Sequence, residues 1–178
     1  LLTLSRLEND SQAPRNDAID LAALLDSILA EAKALSGDRH VFVTKCMEPL
    51  QLRGSPEEIR SAFGNLVSNA VRYTPEGGTI TLSLKYNENG LVFEVADTGI
   101  GIPKEHLSRL TERFYRIDKG RSAATGGTGL GLAIVKHVLL RHDARLEIAS
   151  VPGKGSVFSA VFPANRATVA TKADNTGA

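Results

Sequence analysis

The stretch S-P-E-E-I-R-S-A-F-G-N-L-V-S-N-A-V-R-Y, residues 55–73, decides how the rest of the chain is read. Ser55 can cap a helix, Pro56 fits its first turn, and Glu58, three residues after the cap, completes a capping-box pattern. At about 100° per residue, Ile59, Ala62, Leu66, Ala70 and Tyr73 fall on one apolar face. Asn65, Asn69 and Arg72 stack at i, i+4 and i+7 as a polar stripe beside it. A stripe that borders a core is partly desolvated, so its amides need partners. Asparagine is also a mediocre helix former. Two readings stay open: a solvated face with two incidental amides, or an edge that faces a ligand.

Upstream, Asp20 precedes an amphipathic helix with Leu21, Leu24, Leu25, Ile28, Leu29 and Ala32 at helical spacing, and Gly37 ends it. Residues 40–45 and 50–53 have the composition of short strands on either side of a turn at Glu48 and Pro49. The leucines of residues 1–8 suit the exit of an upstream helix or a disordered end, since eight residues alone do not hold a helix. The chain starts without Met inside that pattern, as expected of a piece of something longer.

Downstream, Pro75 and the pair Gly77, Gly78 break the chain. Residues 79–86 then alternate, with Ile80, Leu82, Leu84 and Tyr86 on one face. Asn89-Gly90 signals a hairpin into a strand over residues 91–96. Regular patterning dissolves over residues 97–128, apart from a short helical piece near 104–109. A segment of that length inside a compact domain is a functional lid or is disordered. Helical periodicity resumes over residues 130–140, and a second hairpin over 145–151 and 156–162 turns at Pro152-Gly153-Lys154-Gly155. Residues 164–178 are polar and small, as in a disordered tail. The element order predicts an α/β (α+β) two-layer sandwich, one mixed, mostly antiparallel sheet covered on a single face by helices.

Composition sets the outer limits. The 178 residues are 42% hydrophobic and 23% charged, which fits one globular domain with a real core. A net charge of +1 makes no strong electrostatic case for nucleic acid or an anionic membrane. A single cysteine, Cys46, excludes an internal disulfide and the usual zinc spacings. Nothing resembles a signal peptide or a membrane span.

Two glycine segments carry the chemistry. In D-T-G-I-G-I-P, residues 97–103, a carboxylate at a strand exit is followed by glycines that let backbone approach a flat ligand while Asp97 accepts a hydrogen bond from it. An ordinary Asp-Gly turn is the plainer alternative. In G-G-T-G-L-G-L-A-I-V, residues 126–135, a glycine-rich loop runs into a helix whose free N–H groups suit phosphate. It has neither a Gly-Lys-Ser/Thr ending nor dinucleotide spacing, and T-G-L-G-L is too patterned for a linker. Between them, R-F-Y-R-I-D-K-G-R-S, residues 113–122, offers Phe114 and Tyr115 as core anchors that tack the lid down. Arg116, Lys119 and Arg121 read as a solvated basic run or as cations closing over polyphosphate.

Taken in order, the four segments resemble the N, G1, F and G2 boxes of the ATP-binding catalytic domain of sensor histidine kinases, in the gyrase/Hsp90-like superfamily. The resemblance covers roughly residues 16–163, and the string 111–137 is most similar to that of phosphate-regulon sensor kinases. It implies a Bergerat-type fold with a long ATP lid, and ATP and Mg²⁺ as cofactors. By resemblance, Asp97 would bond the adenine amine, with Gly99, Gly101 and Ile102 shaping that pocket. Asn69, helped by Asn65, would hold Mg²⁺, and Arg72 and Tyr73 would contact phosphate and the adenine side. Gly127, Thr128, Gly129, Leu130 and Gly131 would bring lid and helix to the phosphates, with Lys119 and Arg121 as lid cations.

Superfamily ATPases place a Glu one helical turn before the metal-binding Asn. Here that position is Asn65, an amide that cannot act as a base near neutral pH. A site without a base suits phosphoryl transfer to an external nucleophile. None of the four histidines, His40, His106, His137 and His142, has the flanks of the family's phosphoacceptor. His142-Asp143-Ala144-Arg145 comes nearest and reads as a helix-end histidine favoured by the dipole. Residues 1–13 would then be the tail of the dimerisation helix or a linker, 14–163 the catalytic domain and 164–178 a disordered tail. The implied partners are an upstream dimerisation domain bearing the histidine and a response regulator, with no nucleic acid. The whole protein would be a homodimer anchored in the bacterial inner membrane, this piece its cytoplasmic and monomeric part. A superfamily ATPase, a serine-directed anti-sigma-type kinase and a docking module are the rival readings.

Overall fold

A computed structural model describes residues 4–9, 11–46, 49–117 and 127–169. Five strands make the main sheet: β2 (Val41–Cys46), β4 (Thr79–Asn87), β5 (Gly90–Asp97), β7 (Gly155–Phe162) and β6 (Arg145–Val151), side by side in that order. β2 runs parallel to β4, and the other pairs are antiparallel. The helices α2 (Leu21–Ser36), α3 (Pro56–Tyr73) and α5 (Gly131–Arg141) form the second layer, with α3 packed between α2 and α5. The predicted two-layer architecture is the observed one.

Alternation along the strands decides which face is covered. Ile80, Leu82 and Leu84 of β4, Leu91, Phe93 and Val95 of β5, and Phe158, Ala160 and Phe162 of β7 are buried under the helices. Their neighbours one residue along point away, and there Lys85 pairs with Glu94 across the strands at 3.2 Å. From α3, Phe63 stacks on Phe93 with ring centroids 3.9 Å apart and meets Phe162 edge-on at 6.1 Å. Truncating such a ring to alanine costs about 3–5 kcal/mol.

The structure departs from the sequence expectations in three places. A second, three-stranded sheet, β1 (Asp17–Asp20), β3 (Leu50–Gly54) and β8 (Ala167–Val169), stands beside the first. β2 and β3 therefore do not pair with each other, because the chain changes sheets between them; Glu48 lies outside the described residues. Residues 164–169 are not a disordered tail: a 3₁₀ turn, Ala164–Arg166, leads into β8, which pairs with β3. Residues 170–178 lie outside the described residues. Residues Leu4–Asn9 form a short helix, α1, whose Leu4 and Leu7 are buried where it meets α5.

Caps explain the helix boundaries. Asp20 accepts from the N–H groups of Ala22 and Ala23, and Gly37 ends α2 at φ 55°. Ser55 caps α3 by accepting from the Glu58 N–H at 3.4 Å. The Glu58 side chain does not return the bond, which corrects the expected capping box. Its carboxylate takes a two-pronged bond from Arg141 at the end of α5, 3.1 Å on each prong, and the Ser55 N–H goes to His142 Nε2 at 3.0 Å.

Candidate functional site

α3 presents the site along one edge. Ile59, Ala62, Leu66 and Ala70 are buried as the periodicity requires, together with Phe63, Val67 and Val71, so the apolar face is wider than expected. Tyr73 is the exception at 42% exposed; it stands at the rim rather than on the core face. Asn65 and Asn69 are half-buried on the polar edge. Asn65 Nδ2 donates to Ser61 O at 2.8 Å, which directs its Oδ1 away from its own helix. Among the described residues the Asn69 amide has no protein partner.

Two other stretches, residues 127–131 and 114–116, converge on this edge. A Cβ at Gly131 would stand 2.8 Å from Asn65 Oδ1, so the start of α5 lies against the Asn65 amide and a side chain there would push that amide aside. A Cβ at Gly127 would lie 3.4 Å from Arg72 Nη1 and 3.5 Å from Arg116 Nη2, which places the end of the lid over the same edge. Gly129, at φ 72°, passes so close to Phe114 that a Cβ would sit 2.9 Å from its Cα, and Gly129 O accepts the Phe114 N–H at 2.9 Å. α5 begins at Leu130 without a side-chain cap. Among the described residues no side chain caps its first N–H groups, and such groups suit a ligand or water. Thr128 Oγ1 is engaged locally, accepting from Leu130 N at 3.4 Å.

On the opposite side, β5 delivers Asp97. Its Oδ1 accepts from the N–H of Gly99 at 2.8 Å and of Ser156 at 3.3 Å. Both bonds go to one oxygen, and Oδ2 has no partner among the described residues. Burial raises the carboxyl above its ordinary value, partly offset by those two N–H donors. An ionised group desolvated in this way gains from one further donor. Gly101, at φ 70°, packs where a Cβ would fall 2.2 Å from Val151 O, and Ile102 is tied down by its N–H to Ser150 Oγ at 2.8 Å. The roles of Ser150 and Ser156 were not legible in the sequence, because both arrive from the second hairpin.

The lid splits the expected anchors. Phe114 is 69% exposed and holds the lid through its backbone alone, contrary to the expected core anchor. Tyr115 is half-buried and its contacts stay within the segment: its hydroxyl meets His106 Nδ1, and the Arg109 guanidinium lies 4.3 Å above its ring, so it joins two parts of the lid to each other. α4 (Lys104–Leu107) begins this segment. Lys119 and Arg121 lie outside the described residues. His142 is corrected as well. It is fully buried, with Nδ1 donating to Val138 O at 2.7 Å and Nε2 accepting from Ser55, so burial holds it below the ordinary histidine value and it is neutral, not a dipole-favoured cation.

Comparison with known proteins agrees with this geometry. The profile of the family described as "Histidine kinase-, DNA gyrase B-, and HSP90-like ATPase" matches residues 54–166. The chain is 53% identical over 175 residues to the phosphate regulon sensor protein PhoR of Pseudomonas aeruginosa, covering 97% of this chain and 40% of that protein. It is 38% identical to the sensor-like histidine kinase SenX3 of Mycolicibacterium smegmatis over 92% of this chain and 43% of that protein. The chain thus spans about two fifths of the length of these relatives. Among solved structures, the mycobacterial sensor histidine kinase MprB superposes with a TM-score of 0.73 at 27% identity, covering 83% of this chain and 97% of that one. Full-length ShkA in complex with AMPPNP shares the fold at a TM-score of 0.76 and 23% identity, over 94% of this chain and 35% of that one. The chain belongs to the family of histidine kinase-, DNA gyrase B- and HSP90-like ATPases.

Proposed function

We propose that this chain is the ATP-binding catalytic domain of a sensor histidine kinase, which donates the γ-phosphate of ATP to a histidine on a dimerisation domain outside residues 1–178. A response regulator of phosphate-regulon type then receives the phosphoryl group. The longer protein is a homodimer in the bacterial inner membrane, with this domain on its cytoplasmic side. Among the described residues no helix is long and apolar enough to cross a membrane.

The observation that carries this reading is Asn65. One turn before Asn69, where a hydrolase needs a carboxylate to activate water, stands an amide whose Nδ2 is already spent on Ser61 O. The site holds and orients the nucleotide and leaves the nucleophile to come from elsewhere. Asp97 Oδ2 takes the adenine amine, Ile102 and Tyr73 border the base, and Arg72 with the uncapped start of α5 faces the phosphates. Lys119 and Arg121 are the cations that close over them.

The donor set fits a cation that arrives with its nucleotide. Among the described residues no group of three His, Cys, Asp or Glu could hold a metal, and α3 offers only neutral amide oxygens at Asn69 and Asn65. Magnesium keeps several waters and commonly binds through few protein oxygens together with substrate phosphates, which suits this edge. When bound, Mg²⁺ neutralises phosphate charge.

The histidines of the chain do not compete as acceptors. His142 is fully buried, His40 and His106 are hydrogen-bonded, and His137 lacks the acceptor flanks. Incubation with γ-labelled ATP tests the proposal. The chain alone binds ATP and forms no acid-labile, base-stable phosphohistidine, and adding the dimerisation domain as a separate chain gives label on that domain. Steady ATP hydrolysis by the chain alone would instead favour a superfamily ATPase.

A further inference from the structure

The junction between α2 and β2 supports the base side of the site from behind. His40 Nε2 lies 2.7 Å from the carbonyl oxygen of Thr74, and its Nδ1 lies 2.9 Å from Ser36 Oγ. A carbonyl only accepts, so the ring carries a proton on Nε2. Ser36 is fully buried, and its Oγ meets Nδ1 while also accepting the His40 backbone N–H at 3.2 Å, so the ring is held from both nitrogens. The residues on either side grip the same turn. Gly77 N–H donates to Arg39 O at 2.7 Å, and Val41 N–H donates to Gly78 O at 2.9 Å. Three hydrogen bonds from residues 39–41 thus clasp the turn 74–78.

That turn carries the loop after Asp97. Tyr73 O, one residue before Thr74, accepts the Ile100 N–H at 3.2 Å, and a Cβ on Gly99 would come within 2.6 Å of the same oxygen. At the far end of the turn, Thr79 N–H donates to Thr98 Oγ1 at 2.9 Å, and Thr98 N–H donates to Thr79 O at 3.1 Å. Residues 98–100 therefore rest on both flanks of the clasped turn. The buried Thr74 hydroxyl has no partner among the described residues. Among them, the His40 ring is the one side chain hydrogen-bonded to Thr74.

We infer that His40 is a positioning residue of the base pocket: it fixes the Thr74 carbonyl and, through it, the Tyr73 carbonyl that seats Gly99 and Ile100 beside Asp97. This rests on the reading of the site as one for an adenine nucleotide.

The histidine ring has two amide stand-ins. Glutamine places its amide nitrogen where Nε2 stands and keeps the donor to Thr74, whereas asparagine matches Nδ1 and reaches only Ser36. Calorimetry with ATP and with ADP on the wild type, His40→Ala, His40→Asn and His40→Gln separates the possibilities. His40→Ala and His40→Asn weaken both nucleotides equally, by about three- to tenfold, the worth of one neutral hydrogen bond. His40→Gln stays within about twofold of the wild type, and amide exchange at Ile100 quickens in the first two variants only. Wild-type affinity in His40→Ala and His40→Asn overturns the role of His40 and leaves the nucleotide site standing. A loss common to all three variants that follows their melting temperatures marks a purely structural residue and also overturns it. Failure of the wild type to bind ATP overturns both readings.

Discussion

The two ends of α5 are built on opposite principles. At the C-terminal end the polar groups are matched to protein partners: His142 is bonded through both ring nitrogens, and Arg141 forks onto Glu58 with both side chains nearly buried. At the N-terminal end Leu130 supplies no side-chain cap, and Gly131 gives up its side chain so that the helix can approach Asn65. One end spends its hydrogen bonds on the fold; the other, on the proposed reading, keeps them for the nucleotide. A helix can serve both purposes because its rigid body transmits the anchoring at one end to the position of the other.

The sharpest way to break this contrast is His142→Ala. It leaves the buried Ser55 N–H without an acceptor and opens a cavity against Gly54, so stability falls by about 3 kcal/mol. Nucleotide affinity of the folded fraction stays unchanged, and denaturant melts with and without ATP check both halves. Next in size is Asp97→Asn. Losing a charge-assisted bond worth roughly 1.5–3 kcal/mol weakens ATP and ADP together by about ten- to hundredfold, while the apo melting point holds because a desolvated charge goes with it. An unchanged affinity by calorimetry would remove Asp97 from the site.

Gly131→Ala sharpens the comparison from the other end. The added methyl presses on Asn65 Oδ1, so ATP binding drops by about an order of magnitude. Helix propensity, better by up to about 1 kcal/mol for alanine, offsets the crowding in stability. A variant that binds ATP like the wild type would mean that α5 need not approach Asn65. The smallest effect is on pH. Because the folded value of His142 lies below the ordinary 6.5, the unfolded chain takes up the proton first. The stability that the neutral ring contributes is complete above that ordinary value and is lost as pH falls through it toward the depressed one. Melts from about pH 7 to about pH 5 should show this decline in the wild type and a shallower one in His142→Gln.

What the sequence revealed follows from how far its signals reach. The α3 periodicity, the Ser55 cap, the Asn89-Gly90 hairpin and the glycine loops are local, and each stands where its pattern predicted. Glu58 and His142 misled because their partners come from the other end of the chain: a carboxylate at the third helical position looks like half of a capping box until Arg141 claims it. β1 and β8 are too short to show alternation and exist only through pairing with β3. Phe114 followed the general rule for aromatic residues, but the close passage of Gly129 turns its backbone, φ 59°, so that the ring faces outward. Of the candidate site, the residue types on α3, the strand exit and α5 were readable; their convergence was not, since it depends on how three helices pack.

The parallel pairing of β2 with β4 sets an order of assembly. Their register runs from Val41 opposite Thr79 to Cys46 opposite Leu84, yet β3 and the whole of α3 intervene in the chain. An edge strand of this kind closes only after the intervening helix has docked, so its contacts form late and fray early. His40 is the residue just before that strand, so the clasp behind Tyr73 lies at an edge of the sheet, and amide exchange at Val41 and Gly77 faster than at Leu82 and Phe93 is the outcome expected of a late-closing edge.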